Sequence, residues 1–160
     1  MRVREATSHD REWIESFLAE HGSAVVARRG ELVRPLDHPM LIALSDDAPA
    51  GLLTYIVGGH DCEILTLHAT AQWRGAGTAL VAAARDVARD KGCIRLWVLT
   101  TNDNVDALRF YQRRGFRLSA VRPGAVDGAR RTLKPDIPES GADGIPIRDE
   151  IELTMELDPQ

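Results

Sequence analysis

Cysteine is nearly absent: Cys62 and Cys93 are the two in 160 residues. Two thiols build no disulfide framework and lack the CxxC spacing of a structural metal site, so no metal is expected. Both fall near the starts of candidate strands, but a reducing cytosol disfavours pairing them. Long apolar runs are missing too. No stretch of about 18 apolar residues exists to span a bilayer, and Arg2, Arg4 and Glu5 stand where a secretory signal would begin. The expectation is a soluble, cytoplasmic protein with no membrane partner. Nor is there an excess of positive charge: 20 Lys and Arg against 24 Asp and Glu leave a net charge of −4, which speaks against a nucleic-acid binder. One local exception lies between Val105 and Lys134, where Arg109, Arg113, Arg114, Arg117, Arg122, Arg130, Arg131 and Lys134 face only Asp106 and Asp127. It reads either as a solvated face or as attraction for a polyanionic ligand. There is no internal repeat, and a chain that is 44% hydrophobic suits one domain over residues 1–160.

What is present reads as alternating strands and helices. Arg2 to Ala6 is a short strand. Thr7, with Asp10 three residues later, is a capping pattern that opens an amphipathic helix burying Trp13, Ile14, Phe17 and Leu18 and ending at Gly22. From Ser23 to Pro39 the pattern is hard to read; Val25 and Val26 suggest a strand, and Pro35 and Pro39 interrupt any element after it. Then come strands at Met40 to Leu44, Ala50 to Val57 and Cys62 to Ala69, an antiparallel meander. Gly75 to Lys91 is helical, with Leu80, Ala84, Val87 and Ala88 on one face and Gly92 as its C-cap. Next are a strand at Ile94 to Thr100, a helix at Asn104 to Arg114 stopped by Gly115, and a strand at Phe116 to Val121. A strand, helix, strand crossover implies parallel neighbours with a ligand beyond the carboxyl ends of the strands. The tail carries a short helix from Ala125 to Leu133 and a Pro- and Gly-rich loop from Pro135 to Pro146. Its last strand has Ile151, Leu153, Met155 and Leu157 inward and Glu150, Glu152 and Glu156 outward.

The sharpest local signal is Gln72, Trp73, Arg74, Gly75, Ala76, Gly77, directly after a strand and opening a helix. Glycines there let backbone N–H groups meet a ligand, and the helix start adds roughly half a positive charge. The Walker pattern is absent, and the Rossmann glycine pattern would need Gly where Leu80 stands. The residue order, with Leu67 five positions before Gln72, instead resembles the coenzyme A pyrophosphate loop of the Gcn5-related N-acetyltransferase (GNAT) family. A second stretch agrees: Asn104, Ala107, Leu108, Arg109, Phe110, Tyr111, Gly115 and Phe116 are similar to that family's Asn, Phe-Tyr and Gly-Phe signature. Asn104 and Tyr111 point to nearly the same side of a helix, about 10 Å apart along its axis, with Leu108 between.

The resemblance is strongest over about 62–121 and departs at 122–146, an insertion expected to shape acceptor choice. It implies an α/β (α+β) single-domain GNAT-like fold: a central mixed, mostly antiparallel sheet of six to seven strands with a splayed parallel pair, flanked by about four helices. It implies acetyl-CoA as co-substrate and an amine acceptor, small-molecule or peptide, attacking directly in a ternary complex; paired terminal strands in such domains allow a homodimer. Gln72, Trp73, Arg74, Gly75, Ala76, Gly77, Thr78 and Ala79 would hold the diphosphate. Backbone groups of Leu65, Thr66 and Leu67 would meet the pantetheine amides, and Asn104, Leu108 and Tyr111 the rest of the ligand. Tyr111 is implied as the general acid for the departing thiolate, a role that suits a phenol with an ordinary pKa near 10. Glu63 is the first candidate base, on the face of Leu65 and Leu67 unless a bulge reverses it. His68 lies on the other face unless that bulge intervenes, and Asp61, Asp149, Glu150 and water are lesser candidates. Acidic residues near the pocket, Glu63, Asp61 and Asp149, favour a cationic amine. A non-catalytic acyl-CoA sensor is the runner-up, and a nucleotide-binding protein, which lacks the usual Lys and Mg²⁺ ligands here, comes third.

Overall fold

The computed structural model describes residues 1–70 and 75–158. Its elements run β1 (Arg2–Glu5), α1 (Arg11–Glu20), β2 (Val26–Arg28), β3 (Glu31–Val33), β4 (Met40–Ser45), β5 (Ala48–Gly58), β6 (Asp61–Ala69), α2 (Ala76–Asp90), β7 (Arg95–Thr101), α3 (Val105–Arg113), β8 (Arg117–Arg122), α4 (Ala125–Thr132) and β9 (Glu150–Glu156). The fold class is the expected mixed α/β one, mostly antiparallel with four helices among the described residues. Two compact units share it: Met1–Val26, Arg34–Leu96 and the chain from Glu156 form the first, Ala27–Val33 and Trp97–Met155 the second.

In the first unit β1, β4, β5 and β6 pair antiparallel in that order, with Val3 opposite Ala43 and Ile42 opposite Leu52. Asp10 accepts the Thr7 N–H at 2.8 Å and takes the Arg4 guanidinium on both oxygens, so the predicted cap is tied to β1 as well. Those contacts hold the Asp10 carboxyl well below the usual carboxylate range. Helix α1 buries Ile14, Phe17 and Leu18 against Met40, Ile42, Leu44 and Leu52. Because side chains alternate along a strand, Gly51 faces the other way, toward α2. A Cβ there would lie 3.0 Å from the His68 carbonyl and 3.1 Å from Leu80, so glycine is what lets α2 sit close on β5. Leu80, Ala84 and Ala88 are buried, in keeping with their spacing in the sequence. The expected parallel pair begins here: Ile94 N–H donates to the His60 carbonyl at 2.7 Å and Arg95 lies 3.6 Å from Asp61, so β7 starts beside the start of β6. Cys62 and Cys93 are buried free thiols.

In the second unit the strand order is β7, β9, β8, with β8 and β9 antiparallel and Val121 opposite Ile151. The stretch from Ser23 to Pro39, whose pattern is ambiguous, contains the β2–β3 hairpin, which belongs to this unit from Ala27 to Val33. The 122–146 insertion is ordered by Arg130, whose guanidinium donates to the carbonyls of Ile137, Pro138 and Ile147 at 2.8 to 3.0 Å and pairs with Asp127. One expectation for β9 fails. Glu150, read as outward-facing, is buried at 7% exposure, because Arg122 pairs with it at 3.2 Å and supplies the charge that makes its burial tolerable.

Candidate active site

Strand β6 is where the geometry departs from simple alternation. Thr54 pairs with Thr66 but Tyr55 pairs with Ile64, so Leu65 is an extra residue, a bulge. Such a bulge takes one residue out of the ladder and bends the strand. Thr66 donates its hydroxyl to Thr54 at 2.8 Å, which fixes the face of everything beyond it. Glu63, opposite Ile56, therefore shares a face with Thr66 and His68 and not with Leu67. The regular alternation expected for Glu63 is reversed, and the bulge at Leu65 is the reason. Glu63 is 3% exposed.

His68 stacks on His21 with ring centroids 4.6 Å apart, and its Nε2 lies 2.8 Å from the Ser23 hydroxyl. Burial, with His21 close by, pushes its pKa down to about 4, so the ring is neutral at pH 7. Of the lesser carboxylates, Asp61 faces Arg95, Asp149 accepts the Gly124 N–H at 2.8 Å, and Glu150 is paired with Arg122.

Beyond β6, the first described residue of the predicted loop is Gly75; Gln72, Trp73 and Arg74 lie outside the described residues. Gly75 has φ of +98°, a left-handed backbone that suits glycine, and it caps α2 without a side chain. Its carbonyl accepts the Ala79 N–H at 2.9 Å, the first bond of the helix. The N–H groups of Ala76 and Gly77 thus sit in the opening turn, ahead of that bond and at the positive end of the helix dipole. Among the described residues nothing lies within 4 Å of where a Gly75 Cβ would be. An anionic ligand fits such a start, since it meets main-chain donors without a side chain in the way.

Three further residues singled out in the sequence, Asn104, Leu108 and Tyr111, are on or at the start of α3, in the second unit. Asn104 is its N-cap, Oδ1 accepting the Ala107 N–H at 3.1 Å, and Leu108 is half-buried one turn on. Tyr111 is 6% exposed, edge-on to Phe110 and Phe116 with centroids 5.2 Å away in each case. Burial pushes its phenol above the ordinary value, so it stays protonated across the whole neutral range. Asp103, just before the cap, is buried and accepts from the Thr101 hydroxyl at 2.5 Å and the Ala142 N–H at 3.2 Å. A Cβ on Gly141 would collide with that carboxylate, so glycine alone lets the insertion close onto it. Sequence reasoning missed a further group in this unit: Trp97, Glu150, Glu152, Arg122 and Arg29 meet in one network. Its only sequence signal is an Arg-Gly pair between two short apolar stretches, a hairpin turn with an arginine where Asn or Asp is usual.

Among the described residues no cluster of His, Cys, Asp and Glu is arranged to hold a metal ion, and no helix is long and apolar enough to cross a membrane. The sequence matches the acetyltransferase (GNAT) family over residues 4–116, and the chain belongs to that family. It is 47% identical over 108 residues to the uncharacterized protein YdhI of Bacillus subtilis (strain 168), covering 68% of this chain and 67% of that one. The fold is similar to that of a Bacillus subtilis acetyltransferase in complex with CoA, at TM-score 0.71 and 20% identity over 98% of this chain and 99% of that one. It is also similar to a GNAT family acetyltransferase from Elizabethkingia anophelis with acetyl-CoA bound, at TM-score 0.68 and 21% identity over 98% and 97%.

Proposed function

We propose that the protein transfers an acetyl group from acetyl-CoA to a primary amine by direct attack in a ternary complex. The observation that carries this reading is the start of α2: glycine-capped, left without a side-chain cap, and placed directly after a bulged strand in a GNAT chain. Main-chain donors of Gly75, Ala76 and Gly77 take the diphosphate, with Gln72, Trp73 and Arg74 completing the loop and Thr78 and Ala79 continuing the first turn beneath it. Backbone groups of Leu65, which the bulge takes out of the ladder, and of the neighbouring Thr66 and Leu67 meet the pantetheine amides and polarise the thioester carbonyl. Asn104 and Leu108 contact the same ligand from α3. The acetyl-CoA and CoA complexes of the similar structures support this choice of co-substrate.

In the chemical step the amine nitrogen bonds to the thioester carbon and the carbon–sulfur bond breaks. Tyr111 protonates the departing thiolate, and its burial supports the role by keeping the phenol protonated. Glu63, directly or through water, receives the proton the amine loses. His68 is less suited: with a pKa near 4 it is a weak base at neutral pH, and it is already bonded to Ser23. The reading includes one catalytic domain over 1–160, a cytoplasmic location, no nucleic-acid or membrane partner, and a homodimer, for which the exposed Leu118 and Val121 on β8 offer apolar surface. The test is to mix pure protein with acetyl-CoA and a panel of small-molecule and peptide amines while monitoring free thiol. Thiol release with at least one amine is expected. Binding of acetyl-CoA with no release for any amine would turn the reading to an acyl-CoA sensor.

A further inference from the structure

The β2–β3 hairpin turns through Arg29 and Gly30, with φ of 51° and 77°. A two-residue turn of this hand favours Asn, Asp or Gly, and an arginine there carries a cost in backbone strain. Its side chain makes contacts that offset the cost. The guanidinium lies 3.9 Å from the centre of the Trp97 ring and donates to Glu152 at 2.6 Å, while the Arg29 N–H reaches Glu150 at 3.2 Å. Trp97 and Glu150 are buried at 8% and 7% exposure, and Glu152 is little more exposed than they are. An aromatic face beside a desolvated carboxylate is the combination that recognises a guanidinium or an alkylammonium.

The walls and the occupant differ in how firmly they are held. Trp97, Glu150 and Glu152 belong to β7 and β9, and Arg122, opposite Glu150 in the ladder, braces both carboxylates at 3.2 and 2.8 Å. Arg29 comes from a two-stranded hairpin, and its side chain is 41% exposed. We propose that Trp97, Glu150 and Glu152 form a recognition site for a cationic group of the acceptor, and that Arg29 is an exchangeable plug that fills it until the acceptor arrives. The exchange swaps one cation for another, so Glu152 keeps its second partner and no buried carboxylate is left underpaired. Naming the ligand as the acceptor rests on the acetyltransferase reading; the existence of the cation site does not.

The test is calorimetric titration of the full chain with agmatine, which carries a guanidinium and a primary amine. Arg29→Ala empties the site and is expected to bind agmatine at least about tenfold more tightly than the parent, and adding Glu152→Gln should remove that gain. Arg29→Gln serves as a second emptied site with more of the side chain retained. The proposal is overturned if both variants melt cooperatively and gain nothing, or if the gain survives Glu152→Gln. It is equally overturned if neither variant melts cooperatively, since Arg29 is then a structural anchor. A protein that shows the gain yet releases no thiol would sink the acetyl-transfer reading and leave the cation site standing.

Discussion

Helix α2 begins at Gly75, whose backbone supplies no side chain to cap the first turn, whereas α3 begins at Asn104, whose Oδ1 closes its own first turn onto Ala107. A glycine cap gives up roughly a few tenths of a kcal/mol relative to an asparagine cap, so α2 forgoes a little stability that α3 collects. A self-contained helix start can carry side chains toward a ligand, but only an open one presents the main chain itself. The proposed function draws on that difference, with the open start of α2 for the diphosphate and Tyr111 of α3 for the proton donor.

This division is most exposed to failure at Tyr111. Tyr111→Phe keeps the ring between Phe110 and Phe116 and removes the hydroxyl. Steady-state thiol release should fall by about 10² to 10³, with acetyl-CoA affinity changed little. Equal losses in both would mean that α3 serves binding as much as chemistry. A second measurement sharpens the picture of the first unit as one without an ionised base at His68. The folded pKa of about 4 lies below the unfolded value near 6.5, so as pH falls through that window the unfolded chain takes up the proton first and stability declines. His68→Asn should flatten this decline, worth about 1 kcal/mol between pH 7 and 5.5 in urea melts. A parent protein with no such slope would contradict the assignment. The smallest effect concerns the cap: Asn104→Ala should cost about 0.5–1 kcal/mol of stability, and Asn104→Asp, which keeps the accepting oxygen, almost none. If Asn104→Asp still weakens acetyl-CoA binding, the amide nitrogen contacts the ligand as well.

Much of this arrangement is legible in the sequence because it is written locally. Gly75 and Gly92 bracket α2, Gly115 stops α3, and the apolar spacing of Leu80, Ala84 and Ala88 gives the buried face. The features that escape depend on pairing between distant residues. The bulge at Leu65 is marked by no glycine or proline and shifts the register by one, which is enough to move Glu63 to the other face. Glu150 fits an alternating strand by pattern, and its burial is explained by distant partners, Arg122, 28 residues earlier, and the Arg29 N–H. The hairpin of Arg29 and Gly30 is obscured because its turn carries an arginine, chosen for what its side chain reaches rather than for the turn.

The assignment depends throughout on α2 offering its first-turn amides to a diphosphate, and calorimetry with acetyl-CoA on the parent and on Gly77→Glu tests that directly. A carboxylate in the first turn is favourable to the helix dipole, so the variant should melt at the same temperature or slightly higher while binding acetyl-CoA at least about tenfold more weakly. Equal affinity in the two proteins, or no heat from the parent at millimolar acetyl-CoA, would contradict it.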